Sequence, residues 1–431
     1  MPRQCKFQTL TLAALLAAGA AARAQDAGTD EQAGAPALEL SGHVRGIALG
    51  QRDASAGPLA AANRVQPGTA EAGPSATLLQ TELRAGAPLP WDHWRAQATA
   101  TLQARERSGG RGESTAWVNE AYAAGSGAGW QWSLGKKVVS WDVGYAFRPN
   151  DVVQQEVRRV LVPVTLSGRP VVMAEHFAGD AAWALVWANP LQSRQAGAPA
   201  EPALALRYYR RDGALDWHGF ARWGARTGAS VGAAVAWVAS DALELHASWR
   251  AFAHADRIAG PTGAQLAAAN PWQRALSGGG QQLLLGGTWT SASQVSLLAE
   301  AWWDGAAARR GDWATWRARN AALPGLLAHG APAPAVAGNL AWQAQGLAPG
   351  TSLQRANLYT RLSYKHEAWE PSLDMLYTPQ DRGRIATAAL TWQGDRVKVE
   401  GGLRAMAGPE AAVVRQLPVQ RQGFVAVTWA F

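Results

Sequence analysis

Short segments of this 431-residue chain alternate hydrophobic and polar residues with a period of two. In the segment 94–105, a face of Trp, Ala and Leu alternates with a face of Arg, Gln and Thr. Successive side chains of a β-strand point to opposite faces, whereas those of a helix repeat every 3.6 residues. The pattern therefore predicts strands, each with one apolar and one polar face.

We count about 18 such segments, an even number of the kind found in bacterial transmembrane barrels. The predicted strands are 37–50, 76–87, 94–107, 115–124, 130–138, 169–178, 181–189, 203–210, 214–226, 230–239, 242–253, 280–290, 294–304, 354–366, 368–379, 384–393, 396–406 and 422–431. The last segment ends on Phe431 and alternates to its final residue. Pairing it with the first strand would close the sheet and leave no free edge. The sequence thus predicts a closed antiparallel β-barrel.

The connections between the segments also alternate in length, which predicts long loops at one end of the barrel and tight turns at the other. Long connections are predicted at 51–75, 139–168, 190–202, 254–279, 305–353 and 407–421. Within the loop 305–353 we predict a short helix at 312–322, in a segment that covers the mouth of the barrel.

Composition supports a membrane location for this barrel. The mean hydropathy is only −0.15, because each strand would hide its apolar residues at alternate positions. The chain has 22 tryptophans against 7 tyrosines and 7 phenylalanines, and the indole ring favours the bilayer interface. We therefore predict a transmembrane barrel in a Gram-negative outer membrane, surrounded by lipid and lipopolysaccharide and inserted by the barrel-assembly machinery.

The start of the chain resembles a secretory signal peptide. Arg3 and Lys6 precede an apolar run, and small residues follow before Gln25. The predicted organisation is a signal peptide at 1–24, a flexible periplasmic lead at 25–36 and the barrel at 37–431. The single cysteine, Cys5, falls within the signal peptide. We therefore expect no disulfide or thiolate metal site in the mature chain.

The polar faces of the predicted strands would line the lumen with charges of both signs. The inward basic residues would be Arg45, Arg84, Arg95, Arg105, Arg207, Arg222, Arg226, Arg250, Arg361, Lys365, Lys398 and Arg404, and the inward acids include Glu82, Glu300, Asp374 and Glu400. The planar guanidinium group suits carboxylates and phosphates, so the basic excess predicts a preference for anions. The alternative is that these arginines only pair with glutamates across strands and satisfy the polar wall.

The segment 138–170 is the clearest candidate for a functional loop. Asn150 or Asp151 is placed to cap a short helix after Pro149, with Glu156 and Arg159 paired at i,i+3 and several valines on one side. That apolar side needs a surface to cover it, so we infer that the loop enters the barrel and packs on its inner wall. It would leave a constriction formed by Arg148, Asp151, Glu156, Arg158 and Arg159. The alternative is an external loop that packs on its neighbours.

The same segment carries a family resemblance. The run Leu-Gly-Lys-Lys-Val-Val-Ser-Trp at 134–141, followed by Asn150-Asp151 and Arg158-Arg159, resembles a strand-to-loop passage of large outer-membrane barrels of the alginate-export and substrate-specific porin type. The resemblance implies an 18-stranded monomeric channel with an arginine-bearing constriction. It does not specify the solute.

Catalytic and cofactor chemistry finds little support in the sequence. His43 and His246 would face the lumen singly, without the partners that a hydrolytic site needs. We identify no catalytic residues, no metal ligands and no cofactor site, and the arginines are not grouped with stacking aromatics as in a nucleic-acid-binding surface.

The predicted function is passive diffusion of small hydrophilic solutes, anionic ones among them, through a monomeric porin-like channel. Three alternatives stay open at this point. They are an export conduit for an acidic polymer such as a polysaccharide, a barrel enzyme acting on lipid or peptide, and a structural or adhesive barrel whose lumen is blocked by loop 305–353.

Overall fold

The computed structural model of the protein describes residues 38–70, 75–108, 110, 112–156, 158–162, 165–192, 201–263, 265–347 and 352–431. The predicted signal peptide at 1–24 and the predicted lead at 25–36 therefore both lie outside the described residues. These two assignments stay predictions.

Eighteen strands within the described residues form one closed antiparallel sheet. They are β1 (Glu39–Asp53), β2 (Ala76–Pro88), β3 (Trp94–Arg107), β4 (Glu113–Gly127), β5 (Trp130–Lys137), β6 (Arg169–Ala178), β7 (Ala181–Ala188), β8 (Ala203–Asp212), β9 (Leu215–Gly224), β10 (Gly228–Ser240), β11 (Leu243–Phe252), β14 (Gly280–Thr290), β15 (Val295–Asp304), β16 (Ala356–Tyr364), β17 (Trp369–Thr378), β18 (Gly383–Gln393), β19 (Val397–Ala407) and β20 (Val419–Ala430). Each predicted segment corresponds to one of these strands, so the predicted fold class is confirmed.

The barrel closes where the last strand meets the first. β20 pairs with β1 in a register that sets Val44 opposite Trp429. Beyond the strand end, Gly42 and Phe431 exchange two backbone hydrogen bonds of 3.1 and 3.0 Å. The final residues thus satisfy backbone groups that an open edge would leave unpaired.

The outer face of the barrel is apolar. Leucine and valine side chains at alternate strand positions are exposed there: Leu83, Leu102, Leu134, Leu185, Leu204, Leu206, Val231, Leu283, Leu285, Leu358, Leu362, Leu373, Leu403, Val425 and Val427. Exposed tryptophans lie near the two strand ends, with Trp130, Trp132, Trp183, Trp217, Trp237, Trp289, Trp369 and Trp429 towards one end and Trp187, Trp223, Trp249 and Trp303 towards the other. A hydrophobic band between aromatic girdles is the exterior of a transmembrane barrel.

The long loops gather at one end of the barrel and carry further structure. They contain a two-stranded hairpin, β12 (Ala255–Ala259) with β13 (Gln273–Ser277), and the helices α1 (Pro58–Val65), α2 (Arg310–Ala322) and α3 (Ala333–Gln343). Helix α2 confirms the helix predicted at 312–322. No helix within the described ranges is both long and apolar enough to cross a membrane.

These helices pack into a cap, which we define as α1, α2, α3 and the connection 323–332. One apolar cluster joins Ala62 of α1 to Leu323 and to Val336 and Leu340 of α3. A second joins Trp313 and Trp316 of α2 to residues of the connection between β19 and β20. The cap therefore ties together loops that leave the barrel from several separate hairpins.

Candidate functional site: a loop inside the barrel

The described residues of the connection between β5 and β6, which are 138–156, 158–162 and 165–168, lie inside the barrel, and we call them the lumen loop. The amide of Asn150 donates hydrogen bonds to the Ser248 hydroxyl (2.8 Å) and to the backbone carbonyl of Trp249 (3.1 Å), both on β11. Farther along the loop, Arg404 of β19 donates to the backbone carbonyl of Arg159 at 3.2 Å. The loop therefore contacts widely separated strands of the inner wall.

Apolar contacts fix the first half of the lumen loop to the wall. Val139, Trp141, Val152 and Val153 pack against inward residues of the strands β6 to β10, namely Val171, Met173, Ala184, Val186, Ala188, Ala205, Phe220 and Ala234. Near its other end, Leu161 and Val162 pack against Ile47, Phe424 and Ala426 of β1 and β20. The inner wall thus supplies the surface that the valine-rich segment needs.

The carboxylate of Asp151 organises the loop from within. It accepts hydrogen bonds from the backbone N–H groups of Trp141 (2.8 Å), Asp142 (3.1 Å) and Glu156 (3.2 Å). It also accepts one from Arg148 Nε at 2.8 Å. A charged acceptor with several donors draws the two arms of the loop together.

The helix predicted after Pro149 is wrong, because the described residues that follow form turns, bends and irregular chain. Asp151 uses its carboxylate on the distant amides of residues 141 and 142, so it does not cap a helix beginning beside it. The predicted i,i+3 pair is absent from the described contacts of Glu156, which instead binds Arg158, with Nε to Oε1 at 2.8 Å. Val157, assigned to the same helix, lies outside the described residues.

Arg148 and Asp151 are both buried, with 5% and 4% of their surface exposed. They hold the loop in shape and do not face open space. Asp142, beside them, accepts hydrogen bonds from Asn150 N (2.5 Å) and the Ser248 hydroxyl (2.8 Å). Burial nonetheless outweighs these bonds and raises the pKa of Asp142 to about 6.

A cavity of about 250 Å³ separates the second half of the lumen loop from the wall formed by β16 to β20. Arg158 and Arg159 line it from the loop, so these two predicted constriction residues do border the open space. Charged residues of the wall complete the lining: Arg361, Asp374, Glu400 and Arg404. Four guanidinium groups and two carboxylates therefore surround the cavity.

Both carboxylates of this lining are engaged by cations. Asp374 lies 3.2 Å from Arg361, and Glu400 lies 3.1 Å from Arg45 and 2.8 Å from Lys398. Arg404 differs, because its hydrogen-bond acceptors among the described residues are neutral, the Thr387 hydroxyl (2.9 Å) and the backbone carbonyl of Arg159. The cavity thus carries excess positive charge on the side of β19.

Arg158 and Arg159 differ in their surroundings. Arg158 is exposed, and its hydrogen bond to Glu156 raises its pKa despite partial burial. The Arg159 guanidinium lies 5.0 Å from the ring centroid of Trp302, a cation–π distance. Burial lowers the pKa of Arg159 to about 10, so it stays charged at neutral pH.

Most of the other predicted lumen arginines have polar partners on the wall. Arg84 lies 2.7 Å from Glu82, Arg95 lies 2.8 Å from Glu39, Arg207 lies 3.3 Å from His218, and Arg250 donates to the Ser230 hydroxyl at 3.1 Å. Arg105, on β3, is half-buried. The alternative that lumen arginines only pair with polar groups of the wall therefore fits several of these residues. Four other arginines gather at one cavity: Arg158, Arg159, Arg361 and Arg404.

Residues that the sequence did not single out complete the junction between loop and wall. Tyr145 stacks on Tyr359 of β16, and Phe147 stacks on Trp302 of β15 at 5.5 Å. Glu300 of β15 also contacts the loop, at the backbone N–H groups of residues 145 and 146. The alternation of its strand predicts that Glu300 faces inward, but no sequence pattern links it to the loop. These aromatic pairs join residues more than 150 positions apart, so no local pattern could have revealed them.

No protein-family model and no curated protein matches this chain. Among solved structures it is similar to a triple mutant of the Rhodopseudomonas blastica porin, with 9% sequence identity and a TM-score of 0.46 over 92% of this chain and 100% of that chain. A structure titled "Asymmetric conductivity of engineered proteins" gives 10% identity and a TM-score of 0.44 over the same shares of the two chains.

Proposed function

We propose that this chain is a porin-like channel of a Gram-negative outer membrane that lets small hydrophilic solutes diffuse passively and favours anions. The apolar outer band supports a place in a bilayer, and the polar lumen supports a path for water and solutes. We also propose that the channel works as a monomer, inserted by the barrel-assembly machinery and surrounded by lipid and lipopolysaccharide.

The observation that carries this proposal is the charge balance of the cavity beside the lumen loop. Its two carboxylates are paired with Arg361 and with Arg45 and Lys398, whereas Arg404 contacts neutral oxygens among the described residues. Arg158 pairs with Glu156 outside this lining, and its side chain is 40% exposed. An anion that enters meets the Arg404 guanidinium, which has no carboxylate partner among the described contacts, and a cation meets carboxylates that are already paired with cations. The electrostatic path therefore favours negative solutes.

An electrostatic preference for anions does not require a site that binds the solute tightly. Charges lining a narrow passage raise the local concentration of the oppositely charged solute, and weak contacts let it leave again. The lumen loop contributes by bringing Arg158 and Arg159 towards the wall. The cavity beside the loop, about 250 Å³, is on the scale of a small molecule, which supports small solutes over a polymer.

Measurements of reversal potential under a salt gradient test the proposal. Arg404→Gln keeps the hydrogen-bonding ability of the side chain and removes its charge, so we expect a lower anion-to-cation permeability ratio, and a further decrease when Arg158→Gln is added. Arg95→Gln is the matched control, because Arg95 is paired with Glu39 away from the cavity. A parent ratio of one or below would refute anion preference, and equal ratios in the parent and the variants would refute the role of the cavity arginines. Refolded barrels without any conductance would refute the channel.

A further inference from the structure

We propose that Glu300 is the positioning residue of the lumen loop, the wall side chain that sets where the loop stands in the channel. Its Oε1 accepts a hydrogen bond from the backbone N–H of Tyr145 at 2.6 Å, and its Oε2 accepts one from the N–H of Ala146 at 2.7 Å. The Glu300 side chain is completely buried. One carboxylate of the barrel thus binds two successive amides of the loop.

Backbone amides normally find partners in helices, sheets or water. Residues 145 and 146 belong to no helix or strand, and a wall carboxylate takes that place. Hydrogen bonds to an ionised acceptor are stronger than neutral ones, and burial strengthens them further. Glutamine at 300 would offer one oxygen and an NH2 group that cannot accept, so one loop amide would lose its partner.

A histidine holds the carboxylate in place from the opposite side. Nε2 of His246 lies 2.9 Å from Glu300 Oε1, and its Nδ1 lies 3.1 Å from Glu244 Oε2. His246 and Glu244 are on β11, two strands away from β15 in the order of the sheet. The row Glu244, His246 and Glu300 therefore forms a rigid base on the wall, and only Glu300 reaches the loop amides among the described contacts.

The position of this anchor matters because of the residues next to it. Tyr145 lines the cavity, and Phe147 packs on Trp302. Arg159 donates to the backbone carbonyl of Ala146 at 2.8 Å. Fixing residues 145 and 146 therefore fixes both an aromatic wall of the cavity and one of its guanidinium groups. The consequence for conduction rests on the proposed function, whereas the anchoring itself does not.

Thiol labelling measures the anchoring directly. Cys5 lies in the predicted signal peptide, so protein refolded without residues 1–24 has no cysteine, and Ala146→Cys introduces a single thiol at a site that is 5% exposed. In the Glu300→Gln background we expect a water-soluble methanethiosulfonate to label this thiol about tenfold faster or more, the factor expected for losing one charge-assisted hydrogen bond. Glu300→Asp, which keeps the charge on a shorter side chain, should label at an intermediate rate.

Glu39→Gln is the matched control, since Glu39 pairs with Arg95 on the wall and makes no described contact with the loop or with the row of Glu244, His246 and Glu300. It should leave the labelling rate unchanged. Unheated electrophoresis shows whether each barrel is folded, and Glu300→Asp serves if Glu300→Gln does not fold. Folded Glu300 variants that label at the rate of the parent would overturn the positioning role. Faster labelling in a barrel that does not conduct would uphold it and refute only the proposed channel.

Discussion

Tyr145 of the lumen loop and Tyr359 of the barrel wall stack with ring centroids 6.0 Å apart and planes inclined by 25°. The pair joins residues that are far apart in the chain, and it borders the cavity beside Arg158. Offset aromatic pairs contribute free energy beyond the area that they bury. The stack is therefore a second contact that holds the loop against the wall, next to the hydrogen bonds that Glu300 accepts from residues 145 and 146.

A double-mutant cycle should detect this stack. Tyr145→Ala and Tyr359→Ala each remove one ring, and we expect a coupling free energy of about 0.5–1.5 kcal/mol between them in urea unfolding from lipid vesicles. Tyr145→Ala with Tyr364→Ala is the control cycle, because Tyr364 stacks on His366 at the strand end and not on the loop. Coupling that is equally small in both cycles would mean that the stack does not stabilise the loop.

The ionisation of Asp142 should make the stability of the lumen loop depend on pH. Burial raises the pKa of Asp142 from 3.8 to about 6, so the folded protein binds this proton more tightly than the unfolded chain does. The contribution of Asp142 to stability is therefore greatest at acidic pH and is lost as pH rises from about 4 through about 6. Because Asn does not titrate, Asp142→Asn removes this dependence.

We expect the unfolding free energy of Asp142→Asn, relative to the parent, to increase between pH 4 and pH 7 by at most about 3 kcal/mol. Urea unfolding at several pH values measures this difference, in which the other titrating groups cancel. Asp395→Asn, at an exposed turn, provides the comparison and should follow the parent throughout. A difference for Asp142→Asn that stays constant with pH would contradict the prediction.

The barrel could be predicted from the sequence because its rule is local. Each strand must present one face to lipid and one to the lumen, so alternation within ten residues identifies strands such as β3 and β20 without knowledge of their partners. The same rule placed Arg361, Asp374 and Arg404 on the inner face. Turn residues then set the hairpins, and pairing of the chain ends closed the sheet.

The path of the lumen loop could not be predicted because its partners are distant in sequence. Helix capping was a reasonable local interpretation of Asn150 and Asp151, but their side chains bind Ser248 and the amides of residues 141 and 142 instead. Tertiary hydrogen bonds thus replaced the local ones. The valines gave the one usable signal, since an apolar side requires a covering surface.

An ion pair at the rim of the barrel should be important for stability. Glu201 lies 2.7 Å from Arg222, and both side chains are largely buried. The Glu201 carboxylate also binds the Thr227 hydroxyl and the backbone N–H groups of Arg226 and Thr227. Burial opposes ionisation, but these partners outweigh it and lower the pKa of Glu201 from 4.5 to about 2.

Because the pKa is lowered, Glu201 stabilises the folded state above about pH 4.5, and this stabilisation is lost as pH falls towards about 2. At neutral pH we expect Glu201→Gln to reduce the unfolding free energy by about 3–5 kcal/mol, since it leaves the buried charge of Arg222 without its carboxylate partner. Glu113→Gln is the control, because its pair with Arg107 is exposed and should contribute little. Equal losses in the two variants would count against a special role for Glu201.

The cap should unfold separately from the barrel. Leu340 of α3 is fully buried among Ala62, Leu323 and Val336, and these contacts involve loops only. Leu340→Ala leaves a cavity there, which typically costs about 2–5 kcal/mol, whereas the strand hydrogen bonds are untouched. Trypsin should therefore cleave the Leu340→Ala variant faster after Arg317 and Arg319 of α2, while the barrel remains folded in unheated electrophoresis.

The control is Leu327→Ala, at an exposed position in the connection 323–332 of the cap, and it should be cleaved at the parent rate. If Leu340→Ala instead unfolded the whole barrel, the cap and barrel would form one cooperative unit, because loss of loop packing could reach the strands only through such coupling.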